Sequence, residues 1–227
     1  MKYDLFLFDL DDTLLDFRAS EKLSFERSLG SLSVKSPEEL FHSYQAENRK
    51  LWTLFEEGKT TKDELKVERF RKTFALHKID MDPEIASNRY LEALPETVVL
   101  IDHAVELLEW LSAHGEIGII TNGIHHTQTQ RIKNSPLKSF ISFVSVSEDC
   151  GFAKPDVRFF EYSSKLAKKF VKEKSIVIGD RWEADILGAH HFGVDSCWFN
   201  PEEKKRPGEP SPSFEIRHLS EMRKLFI

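Results

Sequence analysis

Residues 3–13 read YDLFLFDLDDT, a short run that ends in three carboxylates, those of Asp9, Asp11 and Asp12. Its centre, LFLF, is apolar at every position, which is typical of a strand buried on both faces of a parallel sheet. Carboxylates this close raise one another's pKa, so a cation or hydrogen-bond donors must offset their repulsion. The stretch therefore predicts a strand over residues 3–9 that brings carboxylates to its C-terminal end.

Further apolar runs of strand length follow along the chain. They predict strands at residues 116–121, 141–146, 175–179 and 196–199. Helical patterns between the runs predict helices at about residues 102–113, 125–134, 156–170 and 183–192. This alternation predicts an α/β fold built on a doubly wound, Rossmann-like parallel sheet.

Residues 17–93 interrupt the alternation, because their apolar patterns are helical throughout. Within them, the segment Thr61–Glu64 has the composition of a capping box at a helix start. We therefore predict a Rossmann-like core formed by residues 1–16 and 94–227, with a smaller all-helical domain inserted after the first strand. Prolines spread over residues 201–212 predict a surface loop before a short closing helix.

The composition narrows the class of protein. The 227 residues are 40% hydrophobic, enough for a sizeable core, and the formal net charge is −6. That balance offers no basic surface for a nucleic acid polymer or an anionic membrane. No run has the length of a transmembrane helix, and the acids in the first apolar run argue against a secretory signal. Cys150 and Cys197 lack metal-ligand spacing, so we expect free thiols in a cytoplasmic protein.

Polar residues stand where predicted strands stop. Asp9, Thr121 and Asp180 each occupy such a position, and ligands of doubly wound sheets bind outside the carboxyl ends of the strands. The segment Thr121–Gly123, TNG, offers a hydroxyl and free N–H groups before a helix, which suits a phosphate, although the same letters also form ordinary turns. Asp9 with Asp180 would suffice for Mg²⁺, which keeps several water ligands.

The acids also have alternative explanations. If the first strand continued, Asp9 and Asp11 would share one side, as a nucleophile and a general acid must in phosphoryl transfer through an aspartyl phosphate. The alternative explanation is a solvated acidic turn that caps a loop. Asp185 falls in the first turn of a predicted helix, where the helix dipole alone favours a carboxylate. Lys154 precedes another helix and could neutralise a phosphate charge.

The order of these pieces is more specific than any one of them. The motifs D-x-D-x-T from Asp9, T-N-G from Thr121, K-P from Lys154 and G-D-x-x-x-x-D from Gly179 resemble the signature of the haloacid dehalogenase superfamily. The resemblance covers residues 2 to about 201. It implies a Rossmann-like core, and it matches residues 17–93 to the family's helical cap.

The resemblance also implies roles for individual residues. Asp9 would be the nucleophile, and Asp11 the general acid and base. The ligands of the substrate phosphate would be Thr121, Asn122 and Lys154. The ligands of Mg²⁺ would be Asp9, the backbone carbonyl of Asp11, and Asp180, with Asp185 in support.

Asp11 favours phosphate chemistry, because the dehalogenases of the superfamily lack this second aspartate. Residues 48–52, 57–61 and 68–70 resemble the cap of a branch that contains pyrimidine 5′-nucleotidases, although aromatic residues at helical spacing more often serve packing than recognition. Phe17 could stack on a base. The expectation is a magnesium-dependent phosphomonoester hydrolase acting on a small phosphorylated metabolite, in its narrowest form a nucleoside 5′-monophosphate. The alternatives are a sugar phosphate phosphatase, a β-phosphoglucomutase-like phosphomutase and a non-catalytic binding relative; the sequence does not indicate the oligomeric state.

Overall fold

The structure is a computed structural model that describes residues 2–30 and 36–226. It divides the chain into two compact units. The first consists of Met1–Phe17 and Val98–Ile227, and the second of Arg18–Thr97. None of the described helices is both long and apolar enough to cross a bilayer.

A six-stranded sheet forms the centre of the first unit. Its strands are β1 (Leu5–Phe8), β2 (Glu116–Thr121), β3 (Phe143–Val146), β4 (Ser175–Gly179), β5 (Asp195–Phe199) and β6 (Phe214–Ile216). They lie in the order β3-β2-β1-β4-β5-β6, and every pair is parallel. The order reverses direction at β1, the arrangement of a doubly wound sheet, so the predicted fold class is confirmed.

Two details differ from the prediction. β6 lies within the predicted loop-and-helix tail; three residues pairing with β5 from Cys197↔Phe214 onward are too few to produce a readable alternation. β1 ends at Phe8, and Asp12 takes a positive φ of 56° in the turn that follows. Strand alternation therefore does not extend from Asp9 to Asp11.

The described part of the second unit is helical. Its helices are α1 (Phe17–Leu29, which starts on the last residue of the first unit's N-terminal segment), α2 (Pro37–Glu56), α3 (Lys62–His77) and α4 (Pro83–Ala93). Thr61 and Glu64 form the predicted capping box at the start of α3. Aromatic rings fill the interior: the centroid of Tyr44 lies 4.6 Å from that of Phe25 and 5.0 Å from that of Phe70. Packing thus accounts for the aromatic side chains of Phe25, Tyr44 and Phe70.

A buried polar network crosses the same interior. Asn48 donates to the Glu21 carboxylate at 2.7 Å, and Arg69 donates to the Asn48 amide oxygen at 3.3 Å. The Arg69 guanidinium also lies 4.5 Å from the centroid of the Tyr90 ring, a cation–π contact. Asn48 and Arg69, which carry part of the resemblance to the nucleotidase branch, are therefore core residues of the second unit.

Helices cover both faces of the sheet. They are α5 (Ala104–Ser112), α6 (His125–Lys133), α7 (Ser147–Cys150), α8 (Val157–Leu166), α9 (Leu187–Phe192) and α10 (Met222–Phe226), and a π-helical turn, Trp182–Ile186, leads into α9. Side chains of β1 alternate between the faces: Phe6 and Phe8 pack with α5, whereas Leu5 and Leu7 pack with Phe159 of α8 and its neighbours. Replacing either buried Phe of β1 by Ala would cost about 3–5 kcal/mol. β1 is thus fixed on both sides, which fixes the residue that follows it.

Candidate active site

Three neighbouring strands deliver polar residues to one edge of the sheet. β1 lies between β2 and β4; Asp9 follows β1, Thr121 ends β2 and Asp180 follows β4. The Asp9 N–H donates to the carbonyl of Ile178 at 2.8 Å, which extends the pairing of β1 with β4 by one residue. The parallel register therefore places these side chains at the carboxyl ends of adjacent strands, as expected.

Lys154 connects the carboxylates at this edge. Its Nζ donates to Asp9 Oδ1 at 2.6 Å, to Asp185 Oδ1 at 2.7 Å and to the carbonyl of Ile120 at 2.9 Å, which uses all three of its N–H bonds. The residue is 3% exposed. Burial by itself lowers the pKa of this ammonium, but the charges of Asp185 and Asp9 outweigh burial and raise the pKa above its ordinary value. Lys154 is therefore a permanently charged group.

Asn122 holds Lys154 through the main chain. The Lys154 N–H donates to Asn122 Oδ1 at 2.8 Å, and Asn122 Nδ2 donates to the Lys154 carbonyl at 2.9 Å. The amide that the resemblance assigned to phosphate binding is thus engaged on both sides by Lys154. In this structure the side chain of Asn122 orients the lysine.

Asp9, Asp180 and Asp185 form a compact acidic group. One oxygen from each lies within 4.8 Å of the others, and the Thr13 hydroxyl is 3.5 Å from both Asp9 Oδ2 and Asp180 Oδ1. Burial raises the pKa of Asp9 to about 7, although Lys154 acts in the opposite direction. Burial and then the charges of Asp9 and Asp185 raise the pKa of Asp180 to about 8.

The ionised form of this group carries more negative than positive charge. Lys154 contacts two of the three carboxylates, and one ammonium cannot balance three acids. Converging carboxylate oxygens with excess negative charge are the surroundings that a hard divalent cation such as Mg²⁺ prefers. The residues present therefore fit a divalent metal ion.

Asp185 is integrated in the group rather than exposed at a helix end. It lies in the π-helical turn and is fully buried. Its Oδ2 accepts from the Arg181 N–H at 3.1 Å while its Oδ1 accepts from Lys154. Asp185 therefore orients Lys154, a role beyond a favourable interaction with the helix dipole.

The Asp11 side chain turns toward α6. Its Oδ2 accepts from Gln128 Nε2 at 2.7 Å, and its Oδ1 accepts from Arg131 Nη1. The carboxylate is thus hydrogen-bonded to α6, although its charge also contributes to the raised pKa of Asp9. The atom of Asp11 that the resemblance assigned to the metal is its backbone carbonyl. The two α6 side chains were not predicted. The sequence does contain a signal for them. Gln128 and Arg131 are three positions apart on one helix, so they share a face, and the residue after Arg131, Ile132, belongs to the core.

Thr121 and Phe17 complete the predicted set. Thr121 is 1% exposed; its Oγ1 accepts from the Gly123 N–H at 3.1 Å and from Gln128 Nε2 at 3.0 Å. Its own O–H makes no hydrogen bond within the described residues and can donate to an anion. Phe17 is half-buried, and the centre of its ring lies 5.5 Å from the Arg131 guanidinium carbon.

Comparisons with known proteins identify the family of this chain. The sequence model of the haloacid dehalogenase-like hydrolases matches residues 6–199. Pyrimidine 5′-nucleotidase YjjG of Escherichia coli is 30% identical over 99% of this chain and 98% of its own length. Pyrimidine 5′-nucleotidase PynA of Streptococcus pneumoniae is 33% identical over 95% of this chain and 92% of its own.

A third relative has a solved structure. The HAD-hydrolase YfnB of Bacillus subtilis is 37% identical over 97% of this chain and 94% of its own length. Its crystal structure, bound to magnesium, superimposes with a TM-score of 0.91 at 36% identity and covers 99% of both chains. The chain belongs to the haloacid dehalogenase-like hydrolase family.

Proposed function

We propose that this hydrolase is a magnesium-dependent phosphomonoesterase that acts on a small phosphorylated metabolite through an aspartyl phosphate on Asp9. The observation that carries the proposal is the buried Lys154, which joins Asp9 to Asp185 while Asp180 lies within 4.8 Å of both carboxylates. A nucleophilic carboxylate beside a fixed cation is suited to attack on an anionic ester, because the cation offsets the repulsion between them.

The first step forms the covalent intermediate. A carboxylate oxygen of Asp9 attacks phosphorus, and the bond from phosphorus to the ester oxygen breaks. Asp11 gives its proton to that departing oxygen, so that the product leaves as an alcohol. Thr121 donates its O–H to a phosphoryl oxygen, and the charge of the Lys154 ammonium, held beside Asp9, offsets the negative charge of the phosphoryl group.

The second step restores the enzyme. A water oxygen attacks the phosphorus of the aspartyl phosphate, the bond to Asp9 breaks, and Asp11 takes the proton released by the water. Mg²⁺ held by Asp9, Asp180 and the Asp11 carbonyl, with Asp185 in support, would supply charge neutralisation at the phosphoryl group. The products are the alcohol and inorganic phosphate, and both carboxyl groups return to their starting states.

The names of two relatives support a proposal for the substrate class. YjjG and PynA are both named as pyrimidine 5′-nucleotidases and match nearly the whole of this chain. We therefore propose a nucleoside 5′-monophosphate as the substrate. Phe17 is our candidate for a contact with the base, since the ring is half-buried in the segment that follows the nucleophile. Residues 17–93 are proposed to be the cap domain of this enzyme.

The decisive experiment is phosphate release from a panel of nucleoside 5′-monophosphates, sugar phosphates and p-nitrophenyl phosphate, with magnesium or with chelator. Asp9→Asn is the test variant, and Asp63→Asn, whose side chain is 92% exposed, is the matched control. We expect release to require magnesium, to be lost in Asp9→Asn and to persist in the control. Nucleoside monophosphates should be preferred to sugar phosphates.

Other outcomes would change the proposal in defined ways. A preference for sugar phosphates would retain the chemistry and replace the substrate class. Interconversion of phosphosugar isomers with little release would indicate a phosphomutase. Release that survives Asp9→Asn in a clean preparation would overturn the aspartyl-phosphate mechanism.

A further inference from the structure

We propose that Gln128 and Arg131 of α6 are positioning residues that hold the Asp11 carboxylate in the orientation needed for proton transfer. The inference rests on the proposed function, in which Asp11 is the general acid and base. It assigns a role to two buried side chains that neither the metal group nor the phosphate ligands include.

The contacts restrain the carboxylate at both ends. Gln128 Nε2 donates to Oδ2 at 2.7 Å, and Arg131 Nη1 donates to Oδ1. The two donors are also tied to each other, since Arg131 Nη1 donates to Gln128 Oε1 at 2.9 Å. A carboxylate that accepts a hydrogen bond at each oxygen cannot rotate about its Cβ–Cγ bond without breaking one of these contacts. Its orientation is thus fixed before substrate arrives.

Gln128 also connects Asp11 to the phosphate-binding segment. The same Nε2 donates to Thr121 Oγ1 at 3.0 Å. Gly123 makes room for this arrangement, because a Cβ on it would lie 2.4 Å from Gln128 Nε2. One amide therefore sets the spacing between the proposed proton donor and a proposed ligand of the phosphate.

The burial of Arg131 is difficult to explain by packing. Its side chain is fully buried, yet its Nε and Nη2 have no hydrogen-bond partner within the described part of the chain. Leaving charged donors unpaired in the interior is unfavourable, and an apolar side chain would fill the same space without that cost. Asp11, by contrast, keeps 31% of its side chain exposed and can reach a ligand. The ion pair thus joins a rigid, buried cation to an accessible carboxylate.

Leaving-group dependence separates this role from a purely structural one. An alkoxide needs a proton as it departs, whereas p-nitrophenolate is stable without one. Loss of Asp11 orientation should therefore lower kcat/KM for an alkyl phosphate much more than for p-nitrophenyl phosphate. The constant kcat/KM is the correct quantity, because it reports the steps up to cleavage of the ester and excludes the second use of Asp11.

The test compares Arg131→Met and Gln128→Leu with the wild type on the best alkyl ester of the panel and on p-nitrophenyl phosphate, with magnesium present. We expect kcat/KM for the alkyl ester to fall roughly 10–100-fold, with KM nearly unchanged, and for the aryl ester to fall less than about threefold. Lys133→Met, a change of an exposed cation on the same helix, should match the wild type on both esters. If Arg131→Met does not fold, as judged by its thermal transition, Gln128→Leu carries the test.

A double-mutant cycle completes the test. In an Asp11→Asn background, the two α6 substitutions should cause no further loss on the alkyl ester, because their effect passes through Asp11. Equal losses on both esters, or losses that add to that of Asp11→Asn, would overturn the positioning role while leaving the proposed function intact. A wild type that releases no phosphate from either ester would instead overturn the proposed function, and the inference with it.

Discussion

Gly179 leaves room for the carboxylate of Asp185: a Cβ on this glycine would lie 2.2 Å from Asp185 Oδ2, closer than real Cβ contacts allow. The glycine is the last residue of β4, and Asp185 lies in the π-helical turn that follows. The absence of a side chain at residue 179 is thus a condition for the hydrogen bond from Lys154 to Asp185.

Gly179→Ala should therefore displace Asp185 and, through it, Lys154. We expect kcat to fall roughly 100-fold, because small displacements of positioned groups have effects of this size. Unfolding free energy should fall by about 1–3 kcal/mol, the usual effect of overpacking. Steady-state kinetics and urea unfolding would measure both changes. Gly208→Ala is the control, since a Cβ there meets nothing within 4 Å; full activity in Gly179→Ala would contradict the argument.

Lys154→Met removes the cation shared by two buried carboxylates. Breaking a buried ion pair from one side typically costs about 3–5 kcal/mol, because the remaining charges stay buried and unpaired. We expect that loss in urea unfolding with chelator present, together with phosphate release below detection. Lys165→Met, at an exposed position of α8, should leave both quantities unchanged. A Lys154→Met protein as stable as the wild type would show that this lysine does not stabilise the two buried carboxylates.

The sequence predicted much of this edge and missed part of it, for physical reasons. Runs buried on both faces, such as β1, are uniformly apolar and easy to recognise, and the acids that follow them are conspicuous. β6 was missed because three residues are too few to show an alternation of apolar and polar side chains. The position of the Asp11 side chain was missed because β1 ends at Phe8, so that strand alternation does not extend to Asp11.

Gln128 and Arg131 were missed for a different reason. Polar residues on a helix predict a solvated face unless the partner that buries them is known, and that partner, Asp11, lies 117 and 120 positions away in the sequence. The hydrogen bonds between Asn122 and Lys154 are also nonlocal, since they join residues 32 positions apart. Residues were thus predictable where one local pattern revealed them, and unpredictable where two distant segments had to meet.

Asp180→Asn tests the charge imbalance of the acidic group. Burial raises the pKa of Asp180 to about 8 in the folded chain, whereas in the unfolded chain this carboxyl has its ordinary, lower pKa. A carboxyl with a raised pKa makes folding less favourable as the pH rises toward that value. In chelator, Asp180→Asn should therefore be more stable than the wild type, by a margin larger at about pH 8 than at about pH 6. Urea unfolding at the two pH values would measure the margin; a margin that shrinks with pH would contradict the assignment.

Magnesium should make the wild type more stable than Asp180→Asn. An ion that binds only the folded chain stabilises it by about 2.7 kcal/mol at 100 times its dissociation constant. We expect saturating magnesium to raise the Tm of the wild type and to have little effect on Asp180→Asn, which lacks one of the proposed ligand charges. An equal rise in both proteins would place the metal elsewhere.

Phe17→Ala tests the proposed contact with a base. Stacking of a base on an aromatic side chain contributes roughly 1–3 kcal/mol, so kcat/KM for a nucleoside 5′-monophosphate should fall about tenfold or more. Ribose 5-phosphate carries the same phosphate ester without a base, so its kcat/KM should change little and serves as the internal control. The comparison also separates loss of base stacking from indirect damage to Asp11. The Phe17 ring lies 5.5 Å from the Arg131 guanidinium carbon, so damage to the positioning of Asp11 would lower kcat/KM for both alkyl esters alike. A selective loss on the nucleotide would therefore assign Phe17 to recognition, whereas parallel losses would assign the ring to the support of Arg131.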